Sequence, residues 1–531
     1  MYKSKAYNLI CTRRVTQDNQ GKKTAGVDGI KSLNPAQRME LVGNLKDGIE
    51  RKWSPVRQSE IAKKNGKIRT LGIPTIKDRV YQAAKLKGII EPSYEVIAEP
   101  NSYGFRPMRS TKDAIAQIFS GIANKNEAWV LEGDLKGFFD NIKTEAIVNN
   151  QVIADDKEIV ATIKNLVKSG AITVNQEYIE TDTGTPQGGI ISPLLANIAF
   201  TGMETMIDNW AWENRKRTGQ LQKRDKVVQT IRYADDFVVI AKERWIIEQL
   251  KEVISNWCKE KMGVELSQEK TRITNVEKGF NFLGCNIRKY ETKSTKKVTL
   301  IKPSKESIKS IKQKIKEICK TSGGQSQENL IGKLNPVLRG WANYHSNIVS
   351  KEIFKAIDHY VFERLWIWAK NRHPNKGNNW IKDKYWHKEG KRNWVFKTSN
   401  NTLYKMASTK IIRHIKIKNE HHVFDGQEEY WVKRRIMNRA EKTRKEQYME
   451  KQKFRCNICK ELFKHDSVVE LDHIIPKVCG GTDDAKNLQV LHRHCHNTKT
   501  RTDGSLDQRH HAKKKGIVTK NIKAKHALSV I

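Results

Sequence analysis

Ile231-Arg232-Tyr233-Ala234-Asp235-Asp236-Phe237-Val238-Val239-Ile240 sets two adjacent carboxylates between apolar, β-forming runs. The pattern predicts a β-hairpin with acids at its tip. Adjacent aspartates also serve plain solvated turns, so the reading depends on what stands near them. Upstream, Trp129-Val130-Leu131-Glu132-Gly133-Asp134-Leu135 is a hydrophobic strand that ends in a further acid. Carboxylates on neighbouring strand ends would make an all-oxygen site suited to a pair of Mg²⁺ ions. Such a pair can activate a 3′-hydroxyl and stabilise a leaving pyrophosphate in nucleotidyl transfer. Like charges this close repel strongly without a cation between them.

Around this stretch lie 531 residues with 99 Lys+Arg against 59 Asp+Glu, a formal net charge of +40. At ~150 residues per domain, the length predicts about three or four domains. The basic surplus repels itself unless a polyanion neutralises it, which makes nucleic acid the expected partner. No run approaches the ~18 apolar residues of a membrane-spanning helix, and residues 1–14 lack the apolar core of a secretory signal. No membrane partner is expected. Eight cysteines in this length are not a disulfide scaffold. Cys456, Cys459, Cys479 and Cys495 crowd the C-terminal fifth, which points to metal in a reducing compartment. Neither of the usual glycine-rich phosphate loops, Walker-type or dinucleotide-type, occurs.

Glycine and proline punctuate the first 300 residues and alternate with short β-branched runs, a mixed α/β texture. From Pro303 the texture turns helical. Ile308, Ile311, Ile315 and Ile318 mark one face of a lysine-rich helix ended by Ser322-Gly323-Gly324. Leu330, Leu334, Val337, Leu338 and Trp341 mark a second, and 354–368 a third; 433–453 reads as a charged helix or linker. Any one such helix could be a solvated surface element. The whole of 300–450 is basic and tryptophan-spotted, however, as RNA or single-strand binding requires. Beyond it, Cys456-Asn457-Ile458-Cys459 is a metal knuckle, and His492-Arg493-His494-Cys495-His496 offers a second half. The set suits a tetrahedral structural zinc held by Cys456, Cys459, Cys495 and His492, with Cys479 the alternative fourth ligand. A zinc-stapled module that only binds DNA would need nothing more.

Tyr233-Ala234-Asp235-Asp236 resembles the catalytic signature of reverse transcriptases. Further blocks resemble, in order, the group II intron-encoded proteins: Thr24-Ala25-Gly26-Val27-Asp28-Gly29, Leu71-Gly72-Ile73-Pro74-Thr75-Ile76-Lys77-Asp78-Arg79 and Tyr103-Gly104-Phe105-Arg106-Pro107. They continue through Gly184-Thr185-Pro186-Gln187-Gly188-Gly189-Ile190-Ile191-Ser192-Pro193 and Phe282-Leu283-Gly284. The resemblance covers almost the whole chain. It implies Asp134, Asp235 and Asp236 as the catalytic aspartates, Asp134 and Asp235 being the direct Mg²⁺ ligands. Phe139 would clash with a ribose 2′-hydroxyl; core packing beside Phe138 is its plainer role. Lys63 and Arg69 would grip the incoming triphosphate, and Gln187 would line the nucleotide pocket. Lys270 matches the lysine proposed to protonate pyrophosphate, against the alternative of a plain surface lysine. Leu334-Asn335-Pro336-Val337-Leu338-Arg339-Gly340-Trp341 resembles the thumb or maturase domain. Relatives usually carry several dozen residues before Thr12-Arg13-Arg14-Val15-Thr16-Gln17-Asp18-Asn19, whereas this chain begins about ten residues upstream of that block. Less template contact, strand-switching and processivity are therefore expected.

Asp472-His473, Gly480-Gly481 and Asn487 between the ligand pairs, together with His496 after the second, resemble the HNH nucleases. There His473 would be the general base, Asp472 and His496 would hold a single Mg²⁺, and Asn487 would orient the loop. The implied fold is multidomain α+β. Fingers span 1–95, the palm of a right-hand polymerase 96–300 and a helical thumb/maturase domain 301–395. A basic DNA-binding region over 396–450 leads to a zinc-stapled ββα-metal HNH domain over 451–505 and a basic tail over 506–531. The implied function is RNA-directed DNA synthesis together with intron splicing and nicking of target DNA, with intron RNA, target DNA and dNTPs as partners. A splicing factor with relic enzymes is the alternative, and an HNH nuclease fused to a defence polymerase a more distant one. Bacterial cytoplasm or an organelle would house it.

Overall fold

The computed structural model describes residues 4–45, 52–62, 66, 68–123, 127–185, 188–216, 227–291, 297–419, 421–438, 442–464 and 467–505. The chain separates into two compact units, Met1–Ile311 with Lys416–His422, and Lys312–Ile415 with Val423–Ile531.

The first unit carries β1 (Val56–Ala62), β2 (Ile68–Ile73), β3 (Trp129–Gly133), β4 (Ala171–Ile172), β5 (Tyr178–Ile179), β6 (Val228–Tyr233), β7 (Asp236–Ala241), β8 (Arg272–Asn275), β9 (Phe280–Phe282), β10 (Cys285–Glu291) and β11 (Lys297–Pro303). They form sheets in the orders β2-β1-β4-β5, β6-β7-β3-β8 and β11-β10-β9. The middle sheet is antiparallel throughout, with Gly133 opposite Phe237 and Tyr233 opposite Asp236. Both faces of its central hairpin are covered: Val228 to Arg232 and Phe237 to Ala241 are all buried, so β7 reads as a continuous apolar run, while β6 buries the polar Gln229, Thr230 and Arg232 beside Val228 and Ile231. Phe237, Val239 and Ala241 join a core with Ile246, Ile247, Leu250 and Ile254 from helix Arg244–Trp257. Helix Ser192–Ala199, opened by Pro193 in its first turn, packs into the same core through Leu195, Ile198 and Ala199.

The second unit is helical at first, with Gln327–Tyr344, Lys351–Arg372 and Asn378–Tyr385. The hairpin of β12 (Trp386–Glu389) and β13 (Arg392–Phe396) follows. Ahead of them, helix Lys305–Thr321 buries Ile311 and Ile315, but Cys319 rather than Ile318 takes the next buried position. The i, i+4 succession explains it, since an α-helix returns each residue to the same face after four positions. Among its described residues, the stretch 433–453 holds the end of helix Glu428–Met437 and the whole of helix Arg444–Lys451, the latter opened by a Thr443/Glu446 capping box. The C-terminal module pairs β14 (Val469–His473) antiparallel with β15 (Leu488–His492) and closes with helix Arg493–Thr502. Its core is Tyr448, Cys456, Phe463, Leu488, Val490, Leu491 and Cys495. A core this small needs a staple to stand.

Among the described residues, no helix is long and apolar enough to cross a membrane.

Candidate catalytic and metal sites

The order β6-β7-β3 brings the ends of three strands together at one edge of the middle sheet. The β6–β7 turn is Ala234-Asp235, Asp236 opens β7, and Asp134 follows the last residue of β3. Gly133 lets β3 approach this closely, for a Cβ there would lie 2.1 Å from the Phe237 ring. Burial and neighbouring acids raise Asp235 and Asp236. Burial first, then Asp235 and Asp134, push Asp236 up to about 6. Asp235 is also raised, by burial and by Asp134, while Arg69 and Lys270 pull it back. Lys270 Nζ lies 2.6 Å from Asp134 Oδ2, and that bond raises the lysine. The donor set is hard, oxygen-only and short of countercharge, which fits a divalent cation such as Mg²⁺.

The turn itself is strained and braced. Ala234 stands at φ +60°, a conformation that side-chain-bearing residues avoid unless the surroundings impose it. The buried Arg232 guanidinium imposes it here, donating to Ala234 O at 3.1 Å, Asn197 Oδ1 at 2.9 Å and Ser102 Oγ at 2.6 Å. Asn197 in turn donates to Gly104 O at 2.9 Å, and a Cβ on Gly104 would meet Ala234 N at 2.2 Å. The Tyr103-Gly104 block is thus a backbone surface against which the acidic turn is moulded. Phe139 is buried, edge-on to Phe138 at 5.4 Å and to Phe105 at 6.3 Å. Arg69 sits on β2 within electrostatic reach of Asp235. Lys63 and Gln187 lie outside the described residues.

In the second unit, the ligand atoms of Cys456, Cys459, His492 and Cys495 all lie within 4.8 Å of one another, with Cys459 Sγ 3.3 Å from His492 Nδ1. Burial opposes the Cys456 thiolate, yet backbone hydrogen bonds from Cys459, His492 and Ile458 pull that thiol down overall. Burial and the neighbouring thiols push Cys495 up to about 12. Clustered sulfurs that cannot all ionise alone, together with one imidazole, fit tetrahedral zinc. Cys479 is elsewhere, its Sγ on Asp503 O at 3.6 Å, so the fourth position of the cluster is His492.

Beside this cluster, Asp472 receives Gln489 Nε2 at 2.9 Å and lies 3.4 Å from His496 Nε2 and 3.2 Å from Lys499 Nζ. His473 Nε2 is 2.9 Å from Asp483 Oδ1, and Lys477 holds the other oxygen of Asp483 at 2.6 Å. Asn487 clamps the intervening loop: its Oδ1 accepts from Ile475 N at 2.8 Å, and its Nδ2 donates to Ile475 O and Thr482 O at 3.0 and 2.8 Å. Gly481 belongs to this clamp, since a Cβ there would lie 1.8 Å from Ile475 O.

Arg232, Asn197, Asp483 and Lys499 escape a motif reading. Arg232 was in plain view beside the acids, and Lys499 follows His496 at i+3 on one helical face. Asp483 and Asn197 carry no local signal, because a loop and a distant helix bring them in.

Family models match along the chain: "N-terminal domain of reverse transcriptase" over residues 1–45, "Reverse transcriptase (RNA-dependent DNA polymerase)" over 61–287, "Group II intron, maturase-specific domain" over 308–386, and "HNH endonuclease" over 456–502. The group II intron-encoded protein LtrA of Lactococcus lactis subsp. cremoris is 34% identical over 327 residues, covering 51% of this chain and 53% of that protein. The chain therefore spans about half the length of that relative. Protein YkfC of Escherichia coli strain K12 is 32% identical over 302 residues, 52% of this chain and 78% of that protein. A 91 kDa protein in the cob intron of Schizosaccharomyces pombe is 27% identical over 430 residues, 67% of this chain and 51% of that one. With reverse transcriptase, maturase-specific and HNH segments in that order, the chain belongs to the group II intron-encoded protein family.

Proposed function

We propose that this chain is an RNA-directed DNA polymerase that also binds intron RNA to assist its splicing and nicks DNA with its C-terminal module. The observation that supports this most is the meeting of Asp134, Asp235 and Asp236 at one sheet edge, with Lys270 on Asp134 and Arg69 facing Asp235. These aspartates would hold Mg²⁺, Asp134 and Asp235 directly, and the metal would supply activation of a primer 3′-hydroxyl and charge stabilisation for the departing pyrophosphate. Lys270 keeps a proton on Nζ that it can hand to that pyrophosphate. Arg69 would bind triphosphate oxygens, the role also expected of Lys63, and Gln187 is the residue expected to serve the nucleotide pocket. The Phe139 ring, held edge-on by its neighbours, bars a 2′-hydroxyl and so selects dNTPs.

In the nuclease, Asp483 accepts Nε2–H of His473 and leaves Nδ1 as the base that takes a proton from water. Asp472 and His496 would hold Mg²⁺ at the scissile phosphate, and Asn487 keeps the loop in place. Cys456, Cys459, His492 and Cys495 would hold zinc as the module's staple. Intron RNA and target DNA lie on the thumb (301–395) and the basic segment (396–450), in a bacterial cytoplasm or an organelle. The test is dTTP incorporation on poly(rA) primed with oligo(dT), run beside nicking of supercoiled plasmid. Mg²⁺-dependent DNA synthesis is expected, and its absence from the wild-type chain would leave the non-catalytic splicing factor as the better reading.

A further inference from the structure

The β12–β13 hairpin carries a defect that its own pairing does not require. His387 pairs with Val395 and Glu389 with Arg392, so Lys388 alone faces two residues, Asn393 and Trp394. This is a β-bulge, and bulges re-aim side chains. Trp394 occupies it at φ +60°, where glycine or asparagine would sit without strain and a bulky ring is an outlier. The ring it re-aims is not packed away: Trp394 remains 46% exposed. It forms one wall of a cavity of about 170 Å³ whose other walls include Phe362 and Trp386. Phe362 lies 6.0 Å and Trp386 6.5 Å from Trp394, both inclined to it. A ~150 Å³ apolar cavity accepts a single benzene ring, so this one has room for one flat ring and not for a stack.

Charge decides which ring. An aromatic box can also take a quaternary ammonium, but residues 376–410 hold nine Lys and Arg against two acids. Arg392 and Lys405 stand exposed in the cavity lining, and Lys382 Nζ is 5.7 Å from the Trp394 centroid. Asp358, the acid of the lining, is already engaged by the backbone N–H groups of Met406 and Ala407 at 2.8 Å each. A cation is repelled here, and a flat ring attached to a phosphate is attracted.

We infer that this cavity is a binding site for one unpaired base of single-stranded RNA, stacked on Trp394 with its phosphate on Arg392 and Lys405. RNA is favoured over DNA because Phe362 and Trp386, two walls of the cavity, lie within the maturase-specific match, while Arg392, Trp394 and Lys405 follow it, so the DNA arm of the test is decisive. The inference rests on the proposed RNA-binding role of this region and names the contact.

The experiment uses the full chain and a single-stranded RNA 12-mer carrying one 5-iodouridine, photocrosslinked and digested with trypsin. A uridine adduct is expected on peptide 393–397, competed by unlabelled single-stranded RNA and not by duplex RNA or oligo(dT). Trp394→Ala should weaken single-strand binding about tenfold with an unchanged salt slope, because stacking releases no counterions. Trp394→Phe should restore most of it, and neither variant should change dTTP incorporation on poly(rA)·oligo(dT). Trp394→Gly, which removes the ring and relieves the backbone, guards against a folding artefact and should match the alanine variant. RNA binding without an adduct on 393–397, or equal loss on duplex RNA, would overturn the site while sparing the RNA-binding role. Adducts formed with DNA alone would assign the cavity to DNA, and no RNA binding at all would sink both readings.

Discussion

Arg232 and Ala234 are tied across the turn that carries the paired aspartates: the buried guanidinium donates to the Ala234 carbonyl at 3.1 Å and fixes the left-handed residue between Tyr233 and Asp235. Arginine is needed because one planar fork serves Ala234, Asn197 and Ser102 together. A lysine brings one point charge to three acceptors, leaving buried groups unpaired at roughly 1–3 kcal/mol each. Arg232→Lys is expected to lower kcat for dTTP incorporation about tenfold to a hundredfold, as small misplacements of reacting groups do. KM for dTTP should change little, because Arg69 and the fingers are untouched. An unchanged kcat in a variant that loses thermal stability would reduce Arg232 to a purely structural role.

The acids should stabilise and destabilise in opposite senses with and without metal. Asp236 is pushed up to about 6, so the folded chain favours its protonated form. That contribution is present below the ordinary carboxyl range and is lost as pH rises through about 6. Without Mg²⁺, Asp236→Asn is therefore expected to raise Tm at pH 7.5 and to leave it unchanged at pH 4. The Tm gain on adding Mg²⁺ to the wild type should be larger at pH 7.5 than at pH 5. Neighbouring protein crowds Asp236, but its outer surface is open to water, and that solvent screens part of the repulsion, so the shifts are small. A Mg²⁺ effect independent of pH would contradict the mutual repulsion of these carboxylates.

Metal removal should separate the modules. Chelation by 1,10-phenanthroline is expected to unfold the C-terminal module and abolish nicking while dTTP incorporation persists, because the module's small core depends on its staple. Elemental analysis should find one zinc per chain, lost in Cys459→Ser and retained in Cys479→Ser. Retention of zinc in His492→Ala together with its loss in Cys479→Ser would move the fourth ligand to Cys479.

Asp483 should matter to nicking through His473 alone. Lys477 first and His473 second hold its carboxyl down to about 2, so it is anionic at any working pH and can fix the Nε2–H tautomer. Asp483→Asn is expected to lower nicking about tenfold, part of the ~10²–10⁴ that general-base catalysis supplies. Polymerase activity and zinc content should be unchanged. Full nicking activity in the variant would free His473 from this partner.

The sequence made the acidic hairpin legible because alternating burial was not needed to see it: two apolar runs around Asp235-Asp236 read as strands on either face. The Cys/His module was equally open, since ligand spacing is local. In helix Lys305–Thr321 the isoleucine spacing points to Ile318, whereas the buried face steps by four from Ile311 to Ile315 to Cys319. Hidden from the sequence were contacts between distant segments: Asn197 reaching Gly104, Arg232 reaching Ser102, and the bulge that turns Trp394 outward. No propensity encodes these, because each depends on which strand or helix the fold sets beside another.

The central claim is that Asp134, Asp235 and Asp236 act as one metal-holding set for DNA synthesis on RNA. The most direct measurement is single-turnover dTTP incorporation on poly(rA)·oligo(dT) as a function of Mg²⁺, comparing the wild type with Asp134→Asn and with Asp235→Asn/Asp236→Asn. Both variants are expected to fold, to bind template-primer as the wild type does, and to lose at least about a thousandfold in rate, an effect of the size expected when metal-borne stabilisation of the transition state is removed. Incorporation within tenfold of the wild type by either variant would contradict the account.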